Sequence, residues 1–254
     1  MRKIVRLFHA YVNFWLKSAG KPCDKRVKFI LFFQNRSGSH LLRSLLNSHP
    51  EILCDGEILA AHQVGKIYFP YAYLNGRCAQ SEQQAYGFKV SIEHLARVQN
   101  IESKTFLANL SDLNWKIIYL QRQNVLRQAI SMQIARIRKR WQDNVVNPLS
   151  GDKFNLDCQQ LKRDLDRIER DLISESRNLE GIAHKMILYE RDLLDSRQHQ
   201  ATMDEVFDYL GISRAPVKST VFRTTSDKMS DFIENDEEIV SFISQTKYAK
   251  FLAE

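Results

Sequence analysis

A chain of 254 residues, 44% of them hydrophobic, is long enough to bury one sizeable core. Its 37 Lys and Arg against 30 Asp and Glu leave a formal charge of +7, which suits an anionic partner such as a nucleotide, a nucleic acid, a sulfated product or a membrane surface without choosing among them. No stretch approaches the roughly 20 apolar residues that cross a bilayer, and Cys23, Cys54, Cys78 and Cys158 form no CxxC or Cys/His ligand set; a membrane-spanning protein, a zinc module and a disulfide framework are therefore disfavoured, and a reduced, cytoplasmic protein is expected.

The segment 1–25 reads as an N-terminal extension to a single domain over 26–254. Ile4, Val5, Leu7, Phe8, Phe14, Trp15 and Leu16 alternate with Arg2, Lys3, Arg6, Lys17 and Lys21. Such a basic amphipathic helix fits either packing on the domain or peripheral contact with an anionic membrane. Lys28 to Gln34 (KFILFFQ) is a nearly continuous apolar run, the pattern of a strand buried on both faces of a parallel sheet. After a turn at 35–39, leucines 41, 42, 45 and 46 recur with helical spacing until His49 and Pro50. Gly87 to Ser91 (GFKVS) predicts a further short strand, and Trp115 to Leu120 (WKIIYL) a second central one feeding a helix from Val125 to Trp141. The polar stretch from Gln142 to Asn155 reads as a loop, Cys158 to Glu180 as a charged surface helix, His184 to Tyr189 as a strand, and Thr202 to Leu210 as a helix ended by Gly211. Strands alternating with helices predict an α/β domain with a central, mostly parallel sheet flanked by helices.

In such a sheet ligands sit beyond the C-terminal ends of the strands, and the first strand, loop and helix form a phosphate cradle. That loop is Asn35, Arg36, Ser37, Gly38, Ser39, followed by His40. Gly38 permits close backbone approach, amides at the helix start face the anion, and Arg36 adds a forked cation. The loop is P-loop-like without being a Walker A sequence, since GxxxxGK[ST] is absent. A kinase or ATPase is thereby disfavoured.

QNRSGSHLLRSLLNSHP resembles the 5'-phosphosulfate loop of sulfotransferases that use 3'-phosphoadenosine 5'-phosphosulfate (PAPS). IIYLQRQNVLRQAIS resembles the same family's 3'-phosphate motif, with Arg122 ending a strand and Ser131 nine residues on. LYERDLL, VFDYLGI and RTTSDKMSDFIEN continue the likeness, which spans about Lys28 to Asn235 and is nearest to bacterial carbohydrate sulfotransferases of the trehalose and nodulation-factor type. The resemblance implies PAPS as co-substrate, 3'-phosphoadenosine 5'-phosphate (PAP) as product and no metal. Arg36, Ser37, Gly38, Ser39 and His40 would hold the phosphosulfate, Arg122 and Ser131 the 3'-phosphate, and Arg223 and Thr224 the nucleotide. Arg127, four residues before Ser131, shares its helix face and could join them. His40 replaces a Thr found in many relatives, and an ionising imidazole there would tie affinity to pH.

Sulfuryl transfer needs a base for the acceptor's proton. Gly56 and Glu57 resemble a Gly-Glu pair in which the Glu is catalytic, His62 is the rival, and Lys89 would steady charge on the sulfuryl or acceptor oxygens. The expected acceptor is a carbohydrate or glycolipid hydroxyl, with Ile58 to Ala85 and Gln142 to Asn155 shaping its pocket. A homodimer is compatible with the sequence, and no specific nucleic acid is expected. The competing reading is a nucleotide or nucleic-acid binding module without transferase activity, suggested by the basic balance and the cluster RIRKRW at 136–141.

Overall fold

A computed structural model describes residues 26–61, 63, 66–138, 153–221 and 228–252, with residues 5, 8, 9 and 12 of the N-terminal extension. Five strands form one parallel sheet: β1 (Val27–Phe33), β2 (Ile52–Asp55), β3 (Ala85–Val90), β4 (Trp115–Gln121) and β5 (His184–Leu188). Their order is β2-β3-β1-β4-β5, and every pairing is parallel. The order places KFILFF at the centre, as its two-sided apolarity demands. β2, short and at the edge, is absent from the sequence reading.

The helices are α1 (Ser39–Asn47), α2 (Pro70–Gln80), α3 (Ser103–Asp112), α4 (Val125–Ile137), α5 (Cys158–Leu179), α6 (His199–Leu210) and α7 (Asp236–Ser244). Alternation along β1 divides the core. Phe29, Leu31 and Phe33 pack with Leu42, Leu45 and Leu46 of α1 and with Met203, Val206 and Phe207 of α6. Ile30 and Phe32 face the other way, against Tyr73 and Leu74 of α2, Phe106 and Leu107 of α3, and Leu179 of α5. A third cluster joins α4, α5 and α7 through Leu126, Ile130, Leu165, Ile168, Ile239 and Ile243.

One element departs from its sequence reading in a way that matters. The charged helix α5 is not simply a surface helix, because it buries Asp164 and Glu175 as well as Leu161, Leu165, Ile168 and Leu179. Asp164 is paired with Arg136 at 2.6 Å, whereas Glu175 meets only uncharged donors.

Candidate functional site

The turn after β1 is wound tightly by its own side chains. Ser37 donates its hydroxyl to the Gln34 carbonyl at 2.7 Å, and its amide reaches the same oxygen at 3.2 Å. Arg36 has φ 65° and Gly38 φ 97°. The left-handed region is uncommon for a residue with a Cβ, and such strain concentrates at ligand sites. At Gly38 a side chain is excluded twice, by φ and by the Tyr189 ring, which an added Cβ would overlap. α1 starts directly afterwards, so its first amides point outward beyond the sheet.

The second βα unit meets the first here. Arg36 Nε donates to Ser131 Oγ at 3.0 Å, and Arg122 donates to the Arg36 carbonyl at 3.3 Å. Two motifs 86 residues apart thus share one basic patch. Tyr189 and Glu190, just past β5, hold it together. The Arg122 guanidinium lies 4.7 Å from the centre of the Tyr189 ring. Glu190 accepts from the amides of Gln123 and Asn124 and stands 3.6 Å from Arg122. Asn124 caps α4 by accepting from the Arg127 amide at 2.9 Å. Sequence reasoning matched LYERDLL without giving these two residues a task. The signal available was an aromatic and an acid at a strand end, where ligand sites in parallel sheets form.

Beside the loop lies an ionic cluster. Lys89 is only 1% exposed, its ammonium 3.1 Å from Glu57 Oε1 and 4.6 Å from the centre of the Phe33 ring. β3 is an interior strand, and Lys89 stands near its C-terminal end. His94, which sequence reasoning missed, completes the cluster. Its Nδ1 accepts the Ser91 amide at 3.3 Å, leaving Nε2 to carry the proton toward Glu57 Oε2 at 3.5 Å. His94 opens a π-helical turn (His94–Gln99) and lies far along the chain from Glu57. Nothing in local periodicity links the two.

Burial opposes ionisation of Glu57, yet the hydrogen bond from His94 and the charge of Lys89 prevail and hold its pKa down to about 2. Burial lowers the Lys89 pKa while Glu57 opposes that shift; the close carboxylate keeps the pair ionic. For His40, burial first and Lys89 second bring the pKa down to about 4. His40 is therefore neutral near pH 7 in the ligand-free protein. Burial pushes the Cys54 thiol up to about 12, so it is an inert packing group.

Of the residues singled out from sequence, Arg36, Ser37, Gly38, Ser39, His40, Arg122 and Ser131 converge on the loop, and Glu57 and Lys89 lie beside it. Arg127 is half-buried on α4. His62, Arg223 and Thr224 lie outside the described residues, as do Lys139, Arg140 and Trp141 of the basic cluster. Arg136 of that cluster is bound to Asp164, and Arg138 lies over Phe154 at 4.8 Å. Among the described residues, no group of three or more His, Cys, Asp or Glu is placed to hold a metal ion, and no helix is long and apolar enough to cross a membrane.

Sheet order, loop and helix start define an α/β protein with a phosphate-type cradle at the C-terminal edge of a parallel sheet. Compared with known proteins, no family model and no curated relative matches the chain. Among solved structures it is similar to the sulfotransferase from Alicyclobacillus acidocaldarius, with a TM-score of 0.53 at 16% identity over 90% of this chain and 93% of that one. It is also similar to sulfotransferase STF9 from Mycobacterium avium (TM-score 0.49, 11% identity, 94% and 80% covered) and to mouse sulfotransferase SULT7A1 complexed with PAP (0.49, 14%, 96% and 81%). The first likeness shows the fold: this chain is built as that sulfotransferase is.

Proposed function

We propose that the protein transfers a sulfuryl group from PAPS to a hydroxyl of a carbohydrate or glycolipid. The observation that carries the reading is the Arg36 to Ser131 hydrogen bond, with Arg122 on the Arg36 carbonyl behind it. It joins a helix-start anion cradle to a second Arg and hydroxyl station, the donor chemistry needed by a nucleotide with phosphates at both its 5' and 3' positions. A nonspecific polyanion groove needs no such pairing, and the basic residues at 136 and 138 are already engaged.

In this reading the acceptor oxygen attacks sulfur as the bond from sulfur to the phosphate oxygen breaks, and PAP leaves with the electron pair. The hydroxyl proton passes to Glu57. By analogy with phosphoryl transfer, catalysis is positioning and charge stabilisation. Arg36 and the α1 amides steady the leaving oxygen. In the ligand-free cluster Glu57 is a weak base because Lys89 and His94 hold it. Arrival of the sulfuryl oxygens competes for the Lys89 ammonium, and Glu57 then gains basicity at the moment a proton must be taken. The proposal extends to residues 26–254 as the transferase unit in the cytoplasm, with Arg223 and Thr224 on the nucleotide and 1–25 available for a membrane surface or a second copy of the chain.

Thermal melting in the presence of PAP, ATP and single-stranded DNA tests the reading. PAP at about 100 times its Kd should add about 2.7 kcal/mol of stability, with ATP, which has no 3'-phosphate, and DNA well below it. Equal shifts for PAP and ATP would overturn it.

A further inference from the structure

The ionic cluster has a neighbour that the reaction as described does not use. A cavity of about 80 Å³ opens at the C-terminal edge of the sheet, between the ends of β1 and β3 and the helices α4 and α5. Its floor is apolar, with Phe33, Met132 and Ile168. Its walls are polar: Asn35, Glu93 and Arg97 on one side, Arg167, Asp171 and Glu175 on the other. The cavity neighbours the ionic cluster through Phe33 and Ser91. Phe33 lies under the Lys89 ammonium and 6.2 Å, centre to centre, from the His94 ring. Ser91, another lining residue, donates its amide to His94. Asn35, which precedes Arg36, donates to Glu93 at 3.3 Å.

Two features of the wall define what it can hold. Glu175 is 1% exposed, and both of its hydrogen bonds, from Tyr119 at 2.9 Å and Gln34 at 3.1 Å, fall on Oε2. No described residue hydrogen-bonds Oε1. A carboxyl oxygen on a cavity wall without a protein hydrogen bond is open to a partner from outside the protein. The other feature is charge balance. Burial, against the bonds from Tyr119 and Gln34, pushes the Glu175 pKa up to about 8, so near pH 7 the carboxyl is neutral and Oε1 carries its proton. Arg97 and Arg167 then match Glu93 and Asp171, and the lining has no net charge. Burial also raises the Asp171 pKa, which further disfavours packing unpaired charge here.

Resting on the sulfuryl-transfer reading, we propose that this cavity is an acceptor subsite for an uncharged, hydroxyl-bearing group of a sugar or polyol, which Glu175 Oε1 meets as donor and Asp171 as acceptor. The volume admits several water-sized groups, enough for a ring edge with its hydroxymethyl arm. An apolar floor under mixed donors and acceptors suits the two-sided character of a pyranose. A fixed cation or anion in the ligand would upset the balance of a lining whose opposite charges already match.

Three ligands with one ring and different charge decide the matter: methyl α-glucopyranoside, glucosamine and glucuronate, titrated by saturation-transfer NMR onto the full chain loaded with PAP. The glucoside should bind at least about tenfold tighter than either charged analogue, taking the desolvation of a charge that unbalances the lining as the dominant difference. Ala96 is exposed and lines the same cavity. Ala96→Phe should abolish glucoside binding with PAP affinity and Tm unchanged. Glu175→Leu should weaken the glucoside by about tenfold, the value of one buried hydrogen bond, whereas Glu175→Gln, which keeps a donor, should retain most of the affinity. Preferred binding of glucosamine or glucuronate, no glucoside binding, or glucoside binding indifferent to Ala96→Phe overturns the subsite while leaving PAP stabilisation, and with it the transferase reading, intact. Failure of PAP itself to bind overturns the transferase reading and the proposal resting on it.

Discussion

Glu57, half-buried, and Glu175, fully buried, lie at the C-terminal edge of the sheet on opposite faces, and they are held in opposite charge states. Phe88 points into the α2 and α3 layer, so its neighbour Lys89 points to the α1 side, where Glu57 meets it. Glu175 lies on the other side with Tyr119 and Gln34. Burial pushes both carboxyls toward the neutral form. Glu57 stays ionised down to about pH 2 because its neighbours are an ammonium and an imidazole N–H; Glu175 remains protonated to about pH 8 because its neighbours are a phenol and an amide. Deeper burial raises the pKa of the Glu175 carboxyl, and charged partners override the shallower burial of Glu57. One face of the edge thereby holds a fixed carboxylate suited to proton transfer, and the other a neutral donor suited to binding.

The largest expected effect comes from removing the charged member. Glu57→Gln keeps the shape and loses the proton acceptor, and general-base catalysis is typically worth about 10² to 10⁴ in rate. Sulfate transfer from PAPS should fall by that factor while PAP affinity, measured on the same preparation, changes little. The variant should also melt earlier, since Lys89 is left buried without its carboxylate. Near-normal turnover would remove Glu57 from the chemistry and turn attention to His62.

The next effect exposes the contrast in solution. The folded-state pKa of Glu175 is raised from 4.5 to about 8. Its contribution to stability is complete below about pH 4.5 and is lost as pH rises toward 8, because the unfolded chain releases a proton that the folded chain keeps. The span is on the order of several kcal/mol at 1.36 kcal/mol per pKa unit. Glu57 runs the other way: its contribution is present above pH 4.5 and is lost as pH falls toward 2. Urea midpoints between pH 5 and 8.5 should decline steadily for the parent chain and much less for Glu175→Gln. Identical slopes would mean that Glu175 is ionised in the folded protein.

The contrast also marks how far the sequence alone could be read. KFILFFQ, WKIIYL and GFKVS were legible because strands buried on both faces must be apolar throughout, and HKMILY, at the sheet edge with Met186 exposed, from its short apolar run alone. ILCD was not, being four residues long at an edge. α2, α3 and α7 also escaped. In the site, Arg36, Gly38, Arg122, Ser131 and Glu57 sit in contiguous motifs whose local pattern carries meaning. Glu175 sits in CQQLKRDLDRIERDLISESRNL, where one more Glu among many reads as solvent-facing; only the packing of α5 against β1 and β4 buries it. His94 became visible through its contact with Glu57, and Tyr189 and Glu190 through theirs with Gly38 and Arg122. Tertiary partners wrote those roles.

The smallest effect isolates one hydrogen bond on the neutral side. Tyr119→Phe removes the phenol that donates to Glu175 Oε2 at 2.9 Å and leaves the Gln34 amide in place. The ring keeps its packing in the core, so the loss should be close to one net hydrogen bond, about 1 kcal/mol, read as a small fall in Tm. The direction of a second readout is fixed by which form the phenol favours. A donor to a carboxylate stabilises the ionised acid, so its removal raises the Glu175 pKa further, and the decline of stability with pH should extend to higher pH than in the parent chain. A decline that ends at lower pH would mean that Tyr119 accepts the Glu175 proton instead of donating to it. The proton would then reside on Oε2, and Oε1 would offer the cavity an acceptor in place of a donor.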